Sequence, residues 1–225
     1  MLPNAFFNQE PEDLAIALLG KVLRKRIHHS RFGNLWLAAR IIETEAYYLA
    51  EKGSHSSLGF TEKRKAMFMQ PGTIYMYYAR GGDSLNFSAL GEGNGVLIKS
   101  GFPYMDRKSP HLTLEVMQEL NPGRQSARSM EKLCSGQTLL CKSLDLKVPD
   151  WDQRRLSKSD FVLDDVNLAP KTVVQCQRIG IPTGRDHHLL LRFVDGDYAR
   201  FCTSNPLTKR NWDKGRDYLL LTPES

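Results

Sequence analysis

Between Trp36 and Tyr48 the chain alternates in polarity and is rich in residues that suit strands. A period of two places Glu43, Glu45 and Tyr47 on one face and Ile42, Thr44 and Ala46 on the other. The second set reads as the packed side. The fold must therefore carry a long strand whose other face holds two carboxylates and an aromatic ring. Taken alone, that face has two readings: a functional cluster, or a solvated strand with a surface tyrosine.

Further strands are expected around this one. Ile74 to Ala79 is introduced by Pro71-Gly72 and followed by a tight turn at Gly81-Gly82-Asp83. Asn86–Ala89 and Gly95–Ser100 continue the sheet, and strand-like runs return from Val173 to Tyr218. Pro11 to Leu23 reads as a helix, with Glu12 and Asp13 favouring its start and Gly20 a candidate stop before Lys21-Val22-Leu23 leads into a strand. Thr113–Leu120 is helical and is stopped by Asn121-Pro122-Gly123, and Gly136–Leu144 is a second short helix. Residues 50–65 and 147–167 read as loops. With no repeat, low-complexity tract or linker, the reading is one mixed α+β domain over residues 1–225.

The net charge of +6 and the sequence pI of about 9.1 favour polyanionic partners such as nucleic acid. Arg24, Lys25, Arg26, His28 and His29 read as a solvated hairpin edge or as phosphate contacts. Lys132, Lys142, Arg154, Arg155 and Arg185 are further phosphate candidates. Gly136, at a helix start, presents amides of the kind that bind anions. Apolar runs are a few residues long, so no membrane span is expected. Cys134, Cys141, Cys176 and Cys202 make no Cys-x-x-Cys pair, which leaves zinc without support and suits free core thiols in a reducing compartment. His187 and His188 have no further ligands nearby and read as structural or exposed. No metal, no cofactor and a cytoplasmic, nucleoid-associated location are expected.

Several segments occur in a telling order: Leu14-Ala15-Ile16-Ala17-Leu18-Leu19-Gly20-Lys21, Glu43-Thr44-Glu45-Ala46-Tyr47, Ser54-His55-Ser56, the strand after Pro71-Gly72, Leu133-Cys134-Ser135-Gly136 and Arg178-Ile179-Gly180-Ile181. In this order they resemble the alkyladenine (3-methyladenine) DNA glycosylase family. The resemblance implies a curved antiparallel sheet with peripheral helices and a β-hairpin that enters DNA. It implies Glu45 as the base that activates water, with Lys99 where the family usually has an arginine near that water. It also implies Tyr47, His55 and Tyr77 as walls around a flipped base, Asn86 as a screen at the purine edge, and Ile179 as a residue whose carbonyl helps hold the water.

The sequence departs from the family at the hairpin. Arg80 stands where the family has a gap-filling tyrosine, so Tyr78 and Arg80 are both wedge candidates, and the stretch to Asn86 is one residue shorter. Lysine at 99 cannot make arginine's planar, two-pronged contact. Two functions follow: a monofunctional hydrolytic glycosylase acting as a monomer on double-stranded DNA with damaged purines, or a nucleic-acid-binding module of the same fold that has lost catalysis.

Overall fold

The computed structural model describes residues 1–79 and 81–222. The long strand expected from the sequence is β2, Gly33–Tyr47. The hairpin partner before it is β1 (Val22–His29), and β3 (Ile74–Ala79), β4 (Gly82–Ser88) and β5 (Gly95–Pro103) follow. Later come β6 (Phe161–Asp164), β7 (Val173–Cys176), β8 (Arg192–Asp195) and β9 (Tyr218–Leu221). All belong to one antiparallel sheet, ordered β3-β4-β5-β2-β8-β7-β9, with β1 joining β2 to β6. β5 runs along one edge of β2. On the opposite edge β1 covers Gly33–Arg40 and β8 covers Glu43–Glu45. The fold is α+β, as expected.

One irregularity decides which way the carboxylates point. Between Ile41 and Glu43, two steps along β2 answer one step along β5, so Ile42 is the extra residue of a β-bulge. The parity of the strand changes there. Leu35, Leu37, Ala39 and Ile41 enter the main core before the bulge, and Thr44 and Ala46 turn the same way after it, Thr44 by donating its hydroxyl hydrogen to Ala15 O at 2.8 Å. Glu43, Glu45 and Tyr47 are left on the other face. The expected packed set of Ile42, Thr44 and Ala46 is thus split. Ile42 packs in a separate cluster with Val174, Val194, Ala199 and Cys202. The carboxylate face is also not a solvated one, since Glu43 and Glu45 are both fully buried. A compensating irregularity on β5 leaves Lys99 unpaired between Ser100 and Ile98, where it can be re-aimed toward Glu45.

The helices cover the main-core face. α1 is Pro11–Leu18, with Pro11 in its first turn and Glu12 and Asp13 at its positive end. Leu14, Ala15 and Leu18 are fully buried, and each leucine is worth about 1.5–3 kcal/mol by removal from water. The helix is shorter than the expected Pro11–Leu23 because Gly20 takes φ +82°, where a Cβ would lie 1.9 Å from Leu168 O. α2 (Leu112–Leu120), α3 (Met130–Leu133) and α4 (Gln137–Ser143) complete that layer. α4 brings Thr138 so close to the β3–β4 hairpin that a Cβ on Gly82 would sit 2.8 Å from it.

Two stretches expected to be loops hold more structure. Residues 50–65 contain a 3-10 turn at His55–Leu58 and the start of another at Glu62–Phe68. Residues 147–167 contain α5 (Val148–Trp151) and the strand β6, whose four residues are too few to show a period. Because β6 pairs with the start of β1, Arg24 is not on a solvated edge. It is buried between Asp106 (2.7 Å) and Asp164 (2.9 Å), whereas Arg26 and His28 are exposed. The four cysteines are all buried. Among the described residues no helix is long and apolar enough to cross a membrane.

Candidate active site

Glu43 and Glu45 share a strand face but have different surroundings. Glu43 accepts hydrogen bonds from the Ser100 hydroxyl (2.5 Å), Arg192 Nε (2.7 Å), and the hydroxyl and amide of Thr203 (2.6 and 3.0 Å). Its lone pairs are spent, and its role is to tie β2, β5, β8 and the 203 loop together. Glu45 accepts one hydrogen bond, from the Tyr47 hydroxyl to Oε2 at 2.6 Å. Its Oε1 forms an ion pair with Lys99 Nζ at 3.2 Å and, among the described residues, has no further partner. With far fewer partners than Glu43, this carboxylate keeps the capacity to accept a proton from a water that reaches it.

Burial pushes the Glu45 carboxyl up, but the Lys99 charge, the Tyr47 hydrogen bond and the Arg192 charge together outweigh it and hold the group below its ordinary range. Glu45 is therefore ionised at neutral pH. The Tyr47 phenol moves the other way. Burial and then the Glu45 charge raise it, so it stays a donor.

In front of this pair lies a cavity of about 470 Å³, within the range usual for a ligand site. Tyr47, His55, Tyr75, Tyr77, Asn86, Leu97, Lys99 and Ile179 all line it. Glu45 does not line it, but its carboxylate contacts two residues that do, Tyr47 and Lys99. Three rings form one wall: Tyr75 stacks on Tyr77 (centroids 5.3 Å, planes 27° apart), and His55 meets Tyr77 edge-on at 4.3 Å. His55 reaches solvent on one side, but its partial burial, and then the charges of Arg64 and Arg185, lower its pKa and favour the neutral ring. Asn86 sits in register between Tyr75 and Leu97, and its Nδ2 donates to Tyr75 O at 3.0 Å. The shortened hairpin therefore still delivers it to the cavity.

The structure gathers most of the expected residues here. Tyr78 lies at the rim and is 66% exposed. Arg80, the other wedge candidate, lies outside the described residues. Gly136 lines the cavity at the start of α4, but its N–H is spent on the Ser100 hydroxyl at 3.0 Å, so it is not an open anion donor. Of the phosphate candidates, Arg185 bonds to Lys52 O and Arg155 to Pro71 O, while Lys132, Lys142 and Arg154 are exposed. Among the described residues no three His, Cys, Asp or Glu side chains are grouped to hold a metal.

Four residues of the site escaped the sequence reading. Tyr75 had a signal, since it shares a strand face with Tyr77. Arg178 lay inside a resembling segment but without an assigned role, and Glu51 and Arg192 had no signal. Arg178 pairs with Glu51 through two hydrogen bonds of 2.6 and 2.7 Å, donates to Ala46 O, and lies over the Tyr47 ring at 4.5 Å. Arg192 is the buried partner of Glu43 at 2.7 Å.

A family model described as methylpurine-DNA glycosylase matches residues 5–199, which take in β1 to β8 and almost every cavity residue. The chain belongs to the methylpurine-DNA glycosylase family. Membership makes it a hydrolase of the DNA glycosylase class. Among similar proteins, one from Pseudomonas savastanoi pv. phaseolicola is 59% identical over 221 residues, covering 98% of this chain and 96% of the relative. One from Pseudomonas aeruginosa strain LESB58 is 60% identical over 221 residues, covering 98% and 90%. Both are named, provisionally, as 3-methyladenine DNA glycosylases. The DNA-3-methyladenine glycosylase of Mus musculus is 38% identical over 188 residues, covering 78% of this glycosylase and 53% of the mouse protein.

Proposed function

We propose that this glycosylase is monofunctional and hydrolyses the N-glycosidic bond of alkylated or deaminated purines flipped out of duplex DNA, with Glu45 as the general base. The single observation that carries the reading is the ionised Glu45 carboxylate, held by two residues that line the aromatic cavity, Tyr47 and Lys99.

Extruding a purine from a duplex costs a few kcal/mol in lost stacking and pairing. Aromatic faces return about 1–3 kcal/mol per stacked base, and Tyr47 on one side with Tyr77 and His55 on the other supply them. Asn86 then meets the purine edge, and the backbone at Ile179 faces the water. In the chemical step Glu45 takes a proton from water as the water oxygen bonds to the sugar C1′, and the base leaves with the electron pair of the broken C1′–N bond. The negative charge of Glu45 also stabilises the cation that develops on the sugar. General-base help of this kind is worth about 10²- to 10⁴-fold.

Lys99 Nζ is engaged with Glu45 in this scheme and takes no covalent part, so the backbone stays intact. Tyr78, exposed at the tip of the hairpin, is the described residue best placed to enter the gap in the duplex.

The test uses duplexes carrying 3-methyladenine or hypoxanthine. Free base and alkali-labile sites are expected, with no strand break before alkali and no adduct trapped by borohydride. Failure to release either base contradicts the reading, and strand cleavage or a trapped adduct contradicts the monofunctional part of it.

A further inference from the structure

The ring of Tyr47 has a permanent cation on one side. Tyr47 lines the cavity and Arg178 does not, so the guanidinium, 4.5 Å from the ring centroid, backs the ring while the opposite side serves the cavity. Arg178 is 5% exposed and is held from two further directions, by both carboxylate oxygens of Glu51 and by Ala46 O. A Cβ on Gly53 would approach its Nη2 to 3.1 Å, which leaves little room to swing away. The pair is neutral overall, but its positive end is the one against the ring.

This matters because a tyrosine face attracts cations through its electron-rich π cloud. A guanidinium already stacked on one side draws that cloud toward itself and leaves the other side a poorer platform for a second cation. Purines methylated at a ring nitrogen such as N7 carry a formal positive charge in DNA, whereas a deaminated purine such as hypoxanthine is neutral.

We propose that Arg178, balanced by Glu51, is a specificity-determining residue that shifts the site away from positively charged bases and toward neutral ones. The inference rests on Tyr47 stacking the extruded base, as in the functional reading above.

The experiment compares single-turnover base release and duplex binding for 7-methylguanine and hypoxanthine. It uses the wild type, the Arg178→Met/Glu51→Gln double variant, Glu51→Gln alone and Arg178→Lys. The double variant removes both charges and keeps a long side chain against the ring. Its preference for 7-methylguanine over hypoxanthine is expected to rise by about three- to thirtyfold, the range of one cation–π contact from exposed to desolvated. Glu51→Gln leaves the cation uncompensated and keeps an acceptor for Tyr48 N, so the preference is expected to move the opposite way. Arg178→Lys keeps the charge and is expected to leave the ratio within about twofold, whatever it does to both rates together. A ratio that stays constant across all the variants while the rates fall in parallel overturns the proposal and makes Arg178 a clamp. If the double variant does not fold, the sign of the change in Glu51→Gln decides. A wild type that releases neither base defeats the functional reading itself, an outcome distinct from an unchanged ratio.

Discussion

Glu43 and Glu45 lie two residues apart on β2, both fully buried, yet the first is tied to Ser100, Arg192 and Thr203 and the second only to two cavity-lining residues, Tyr47 and Lys99. The same strand face thus supplies a structural carboxylate and a reactive one. Their substitutions should separate cleanly.

Glu43→Gln removes the charge that answers Arg192 and mismatches at least one of the donors pointed at it. Breaking a buried ion pair costs about 3–5 kcal/mol, which for a chain of this size lowers Tm by about 6–20 °C. Thermal unfolding followed by circular dichroism measures this. A melting temperature within a degree of wild type would mean that the Glu43 network is not structural.

The acid limb of the rate profile reports Glu45. The carboxyl is held below its ordinary 4.5, so the ionised, active form is present above that pH and activity is lost only as pH falls through the lowered value. The Lys99 charge is the largest influence holding it down. In Lys99→Gln burial dominates, the pKa rises and the acid limb moves to higher pH. Single-turnover rates between pH 4 and 8, on protein shown to be folded at each pH, test the direction. A limb that stays put or moves down opposes the assignment of Lys99.

Tyr77→Ala takes away the centre of the wall formed with Tyr75 and His55. Loss of one stacking platform costs about 1–3 kcal/mol, so binding of a duplex with a damaged purine should weaken by about 5- to 150-fold while undamaged duplex is bound nearly as before. Fluorescence anisotropy on the two duplexes distinguishes this from a general loss of DNA affinity, in which both would weaken equally.

Gly20→Ala tests what ends the first helix. The residue has φ +82°, and the added Cβ would fall 1.9 Å from Leu168 O, a backbone atom that cannot swing aside. The conformation alone costs about 1–3 kcal/mol for a residue other than glycine, and the collision adds to it. A large drop in the denaturant midpoint is expected, whereas an unchanged midpoint would show that the backbone relaxes freely there.

Much of this site was legible because its parts lie on one strand. Period two put Glu45 beside Tyr47, and the same rule applied to Ile74–Ala79 would have paired Tyr75 with Tyr77. The bulge at Ile42 was hidden, because an extra residue shows only once the partner strand is known. It moved Ile42 into a second cluster and re-aimed Lys99 through its counterpart on β5. Arg178, Glu51 and Arg192 were hidden for a different reason. Each acquires its meaning from a partner that the sheet brings close but the chain keeps far apart, 127 residues in the case of Arg178 and Glu51. That Ser100 takes the Gly136 amide was hidden in the same way, as another contact between remote segments. The four-residue β6 was too short to display a period.

The central claim is that Glu45 drives the hydrolysis, and single-turnover release of 3-methyladenine by Glu45→Gln tests it most directly. The variant keeps the shape of the side chain and is expected to bind the damaged duplex nearly as tightly as wild type while releasing base at least about 10²-fold more slowly. Base release at the wild-type rate, with binding unchanged, would contradict the account.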